Sequence, residues 1–167
     1  MAELASSPDV SAILIDPAQI PLSMPGIKSD APALLQMQQT MREAAGIILA
    51  TPEYHGGMSS VIKLVIENLG YPSGLKDKPV ALLGVAAGVI GAIKATEQLR
   101  TVCAHVGALV LPGSVSVPRV DKVFDEDGRC LDPAIEKRLR GLATSLTDFL
   151  HKNVCPRMSF EQMVRDS

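Results

Sequence analysis

Apolar positions along the chain fall into short continuous runs separated by stripes at helical spacing. The runs are VSAILID (Val10–Asp16), GIILA (46–50), PVALLGVA (Pro79–Ala86) and Ala108–Leu111. Each reads as a strand. Continuous rather than alternating apolar character predicts a parallel sheet covered on both faces. The first stripe is Leu34, Met37, Met41 and Ala45 within Pro32–Ala45, with Gly46 as its stop. The second, from Ser59 to Leu69, presents Val61, Ile62, Val65, Ile66 and Leu69. The third presents Ala92, Ala95, Leu99, Val102 and Val106. The last presents Ile135, Leu139, Leu142, Leu146 and Phe149, with Asp132 placed to cap it and Pro133 at its first position. Strand and helix therefore alternate four times, which predicts an α/β fold.

Punctuation between these elements is clear. Pro17, Pro21, Pro25 and Gly26 mark one loop, and Gly88 and Gly91 another. The stretch FDEDGRC (124–130) holds an Asp-Gly turn in an otherwise irregular connection. From Lys152 to Ser167 the chain is polar and is expected to be loose. The predicted organisation is one domain over residues 1–152 and a tail over 153–167.

Composition narrows the function. Hydrophobic residues make up 47% of the 167 and charged residues 20%, an ordinary globular balance. The net charge of −2, with Lys and Arg scattered, gives no basic face for nucleic acid. With no Trp, two Tyr and three Phe, a stacking platform for bases is not expected either. Cys103, Cys130 and Cys155 lie far apart without a CxxC or CxxH pair, so no zinc site is predicted. Sparse, odd thiols suit a reduced, cytoplasmic compartment. MAELASSPDV has no basic or long apolar segment of a secretory signal, and no apolar run reaches the ~18 residues of a membrane span.

Candidate chemistry concentrates after the second run, in TPEYHGG (51–57). In parallel α/β sheets, ligands bind at the carboxyl ends of the strands. TPEYHGG lies at one such end and AAGVIG (86–91) at another. Pro52 holds Thr51 extended, and Gly56 and Gly57 allow a sharp turn and close backbone approach. The backbone N–H groups of Glu53, Tyr54 and His55 are candidates for a planar ligand's heteroatoms, with Tyr54 as an amphipathic ring. Plainer readings stand beside these. Gly56-Gly57 serves equally as a turn into a helix, His55 as an exposed loop residue, Tyr54 as core, and Glu53 as an acid favoured by a helix N-terminus. Glu53 and His55 are too few for a metal. His105 and His151 adjoin no nucleophile, and EKRLR (136–140) reads as a solvated helix face.

ATPEYHGGMSSVIKLVIENL (50–69) resembles the signature of the NADPH-dependent FMN reductases, a flavodoxin-like group that includes quinone, chromate and azo reductases. AAGVIGAIKATEQLR (86–100) is similar to the family's Gly-rich stretch and the helix after it. The stretch from Pro112 to Leu150 and DPAQIPL (16–22) follow the family in order and spacing. The resemblance spans residues 5–152. It implies a three-layer, doubly wound flavodoxin-like sheet of strand order 2-1-3-4-5. It implies FMN reduced by NAD(P)H, with a quinone, flavin, metal oxyanion or azo compound as the small-molecule acceptor. Pro52, Glu53, Tyr54, His55, Gly56, Gly57, Ala87 and Gly88 would border the flavin. No side chain is required as an acid–base catalyst, because the cofactor carries the redox step. A homodimer or homotetramer is implied as well.

The family's opening strand, GSxRxxSxN-like phosphate loop and helix have no counterpart here, a unit of about 25–30 residues. That strand is central in the family sheet. Two accounts of the short chain are an incomplete reductase and a genuine short form with weak or no flavin binding. The second carries its own function: a non-catalytic flavodoxin-like subunit that associates with an intact paralogue. The small net charge disfavours an electron carrier of flavodoxin type.

Overall fold

The computed structural model describes residues 1–7 and 9–165. A short helix α1 (Ala2–Ala5) opens the chain. Residues 10–16, expected as the first strand, run in no regular structure and join no sheet. Apolar character supports a strand only where a neighbour supplies ladder hydrogen bonds, and here none does. A 3-10 turn (Pro17–Gln19) follows, capped by Asp16 through Ala18 N at 3.0 Å.

Helix α2 (Pro32–Glu43) buries Leu34, Met37 and Met41 as its stripe predicts. Strand β1 (Ile47–Tyr54) extends the GIILA run through TPEY, a stretch expected as loop. A two-residue turn at His55 and Gly56 reverses the chain into β2 (Gly57–Met58). Helix α3 (Ser60–Glu67) buries Ile62, Val65 and Ile66, whereas Val61, expected on that face, is exposed. Then come β3 (Pro79–Val85), α4 (Ile93–His105) and β4 (Leu109–Val110). The connection expected to be irregular contains a strand β5 (Val115–Val117) and a helical turn α5 (Val120–Val123). Asp132 caps α6 (Pro133–Phe149) through Ala134 N and Ile135 N, at 2.8 and 3.2 Å. The expected loose tail is helical: a π-turn (Leu150–Val154) leads into α7 (Cys155–Arg165). Asp166 and Ser167 of that tail lie outside the described residues.

β3 is the centre of the sheet. β1 runs parallel along one edge of it, from Ile47 opposite Val80 to Pro52 opposite Val85. β4 and β5 share its other edge, pairing with the start and the end of β3 respectively. β2 pairs antiparallel with the last two residues of β1. Successive residues of β3 point to opposite faces. Val80 and Leu82 join a core with α2, α3 and α4, while Ala81 and Leu83 join a second core with β5, α5 and α6. Three layers result, with the carboxyl ends of β1, β3 and β5 at one end of the sheet.

Candidate functional site at the carboxyl ends of the strands

Thr51 is buried within β1, three residues before the strand ends at the hairpin. Its Oγ1 accepts from Ser59 N at 3.1 Å, and Ser59 Oγ caps α3 through Ile62 N at 3.2 Å. This pair closes the base of the hairpin and passes the chain directly into the helix. His55 and Gly56 have φ of 50° and 74°, and positive φ at both central residues is what a tight two-residue hairpin needs. Gly56 meets that need without strain. The stem of Lys94 lies over the turn.

Three hydrogen bonds from separate elements fasten the region to the start of α4. Glu53 Oε2 accepts from Ala95 N at 3.0 Å. Gln98 Oε1 accepts from Met58 N at 3.1 Å. Ser116 Oγ, on β5, accepts from Ala92 N at 2.8 Å. α4 has no side-chain cap of its own, so Glu53 and Ser116 satisfy part of a helix end that would otherwise lack acceptors. A carboxylate there also opposes the helix dipole favourably. Glu53 therefore serves a helix N-terminus, as its plainer reading held, but the helix is α4 rather than the next one in sequence.

The second loop is held just as firmly from below. Ala86 N donates to Val117 O at 3.0 Å, Arg119 N to Gly88 O at 3.2 Å, and Val120 N to Ala86 O at 3.0 Å. Gly84 lies where α4 crosses β3; a Cβ there would fall 2.7 Å from that of Ala92. Above this floor, Ala87, Gly88, Val89 and Ile90 are exposed. The register of Pro52 opposite Val85 places the two loops side by side.

Among the described residues, the backbone N–H groups of His55, Gly56, Ala87, Gly88, Val89 and Ile90 donate to no protein acceptor. They form an open ledge with one exposed aromatic side chain, Tyr54, and small side chains at Ala87 and Gly88. Gly88 has no atom within 4 Å of where a Cβ would stand. A flat ring with acceptor atoms on its edge fits this ledge. Two concavities lie elsewhere. One of about 710 Å³ is bordered by Lys63, Tyr71, Lys76 and His105 at the opposite, amino-terminal end of β3, where none of the ledge residues reaches.

The model of the family described as NADPH-dependent FMN reductase matches residues 1–122. The chain belongs to that family. The FMN-dependent NADPH-azoreductase of Staphylococcus aureus is 25% identical over 154 residues, spanning 87% of this chain and 81% of that protein. The flavoenzyme NAD(P)H:(acceptor) oxidoreductase FerB of Paracoccus denitrificans superposes with a TM-score of 0.68 at 26% identity, over 81% of this chain and 78% of FerB. An oxidoreductase from Corynebacterium diphtheriae, 17% identical, shares the fold at a TM-score of 0.61 over 74% of this chain and 64% of that one. The reductase fold is thus flavodoxin-like, and this member is an oxidoreductase whose cofactors are FMN and NAD(P)H. No helix among its described residues is long and apolar enough to cross a membrane.

Of the residues singled out in the sequence, Tyr54, His55, Gly56, Ala87 and Gly88 lie on the ledge. Pro52, Glu53 and Gly57 shape it from behind. A Cβ at Gly57 would fall 2.9 Å from Gln98 Oε1, so this glycine lets Gln98 reach Met58 N. Gln98 and Ser116 were missed. Ser116 carried a readable signal, since VSV alternates with a period of two. Gln98 carried none, because only the crossing of α4 over the hairpin brings it there.

Proposed function

We propose that this chain passes electrons from NAD(P)H through FMN to a quinone, a free flavin or a similar small acceptor. The reading rests on one observation: six backbone N–H groups on two adjacent loops donate to no protein acceptor among the described residues, and the loops are held by Glu53, Gln98 and Ser116. FMN, when bound, supplies the redox chemistry, taking hydride from NAD(P)H and returning electrons to the acceptor. The chain's own contribution is positioning. The N–H groups of His55 and Gly56 on one side, and Ala87 to Ile90 on the other, are donors for the ring's edge. Tyr54 flanks its face. The tethers to α4 keep both loops in place, so little ordering cost remains at binding. We place this activity in residues 1–152 of a cytoplasmic homo-oligomer, with 153–167 as an appendage.

The test is visible absorbance of the purified protein followed by fluorescence titration with FMN. Gly56→Val and Gly128→Val make a matched pair, because both glycines have positive φ, 74° and 76°, and neither has an atom closer than 3.7 Å to where a Cβ would stand. Their backbone strain is therefore similar. We expect Gly56→Val to weaken FMN binding ~10-fold or more, about 1.4 kcal/mol, and Gly128→Val to leave it unchanged. Equal FMN affinities for the two variants would remove the assignment.

A further inference from the structure

Two cations stand at the ledge against local preference. Lys94 occupies the first turn of α4, where the helix dipole disfavours a positive charge. Its exposed side chain lies over the hairpin, with Nζ 3.8 Å from where a Cβ on Gly56 would stand. Arg119 donates its backbone N–H to Gly88 O at 3.2 Å, which fastens it to the second loop. Its φ is 48°, a conformation uncommon for any residue but glycine, and its side chain is exposed. Among the described residues neither side chain makes an ion pair or a hydrogen bond.

The acids nearby leave them free. Glu97 and Asp121, the closest in sequence, are exposed and pair with neither, and Glu53 is committed to Ala95 N. The whole chain carries a net charge of −2, so two unpaired cations at one place do not follow from its overall balance. Departures from local preference that no internal contact offsets point to function. The same ledge exposes apolar surface: Tyr54, Val89 and Ile90 are 64%, 66% and 76% exposed. Apolar surface with polar groups at its rim marks a place where a ligand or partner is held.

We propose that Lys94 and Arg119 select the acceptor, so that the ledge prefers a flat aromatic acceptor bearing a carboxylate or sulfonate over its neutral counterpart. The proposal rests on the reading that the acceptor is reduced at this ledge. The acceptor's ring lies against the exposed apolar side chains, and its anionic substituent meets the cations. No internal ion pair has to break when the anion arrives, and complementary charge at a rim both steers and discriminates. The substituent takes no part in the redox step. A quinone gains two electrons and two protons, as hydride from NAD(P)H plus one proton from solvent, and leaves as the hydroquinone with its carboxylate or sulfonate intact.

The experiment compares the FMN-loaded full chain with the double variant Lys94→Met/Arg119→Gly. Glycine suits the positive φ of residue 119, so this change removes charge without adding strain. The first readout needs no turnover: calorimetric titration with naphthalenesulfonate, which accepts no electrons, beside neutral naphthol. Naphthalenesulfonate should bind the double variant ~10-fold more weakly than the parent, and the parent's preference for it over naphthol should shrink in ~1 M salt. The second is the ratio of kcat/KM for a naphthoquinone sulfonate to that for naphthoquinone, which cancels changes common to both substrates. That ratio should fall ~10-fold in the double variant, and Lys94→Arg, which keeps the charge, should hold it near the parent's value. A double variant with the parent's ratio, or with the parent's naphthalenesulfonate affinity, would overturn the proposal and leave the reductase reading standing. A chain that binds no FMN, or reduces neither quinone, would overturn both.

Discussion

GIILA and VSAILID are nearly the same sequence in physical terms, and the fold treats them oppositely. Both are continuous apolar runs rich in β-branched and aliphatic residues. The first becomes β1, in register with β3 over six residues, with Leu49 4% exposed. The second stays outside the sheet, with Leu14 75% exposed. Strand propensity is largely a statement about fitting a half-buried pleated surface. Where no neighbouring strand lies alongside, the same residues gain neither ladder nor burial. The difference lies in the partner and not in the run.

The largest effect that tests this comparison is a pair of identical truncations. Leu49→Ala should cost about 2–5 kcal/mol of stability. Leu14→Ala should cost less than about 0.5 kcal/mol in the single chain. Urea unfolding at low protein concentration measures both, and comparable losses would mean that residues 10–16 are as integral as β1. Of intermediate size is Glu53→Ala, which removes the acceptor of Ala95 N from the start of α4 and should cost about 1 kcal/mol. Glu53→Gln should recover part of that loss, since an acceptor oxygen remains. FMN affinity should fall in the same order, Ala more than Gln, if the tether holds the ledge.

A further effect, confined to alkaline pH, concerns the covered side of β1. Cys103, fully buried in the core that Leu49 shares, has its thiol pushed up from 9.0 to about 11 by burial, partly offset by Arg100. A thiol whose folded value is raised holds its proton in the folded state after the unfolded chain has lost it. It therefore contributes stability that is complete below pH 9 and is lost as pH rises toward about 11. Unfolding curves across that window should fall more steeply with pH for the parent than for Cys103→Ala. Parallel slopes would show that the thiol is not titrating differently in the two states.

Much of the architecture was legible because it rests on local signals. Asp132 followed by Pro133 announces α6, and the stripe Leu34, Met37, Met41 announces α2. The runs at 46–50 and 79–86 are recognisable from continuity alone. The errors arise where the deciding interaction is distant in sequence. VSAILID fails as a strand for want of a neighbour. TPEY looked like a loop because proline and an acid follow an apolar run, yet a proline is tolerated in a strand at a sheet edge, and β1 lies at such an edge. β5 is only three residues long and forms because β3 extends past β4. The site was legible as two loops at strand ends with glycines and one aromatic. Its fastening to α4 was not, because Glu53 meets Ala95 and Ser116 meets Ala92 across 42 and 24 positions of chain.

Those separations bear on how the molecule assembles. A helix normally carries its own start signal within a residue or two, and can begin to form before the rest of the chain has collapsed. α4 borrows its start from a hairpin that precedes it and a strand that follows it. The N–H groups of Ala92 and Ala95 find their acceptors only after long loops have closed, a slow class of event. In a refolding experiment followed by amide protection, the N–H groups of Ala92 and Ala95 should accordingly be among the last in α4 to become protected. The residues that present the ledge would then mark the completion of folding as well as the place of binding.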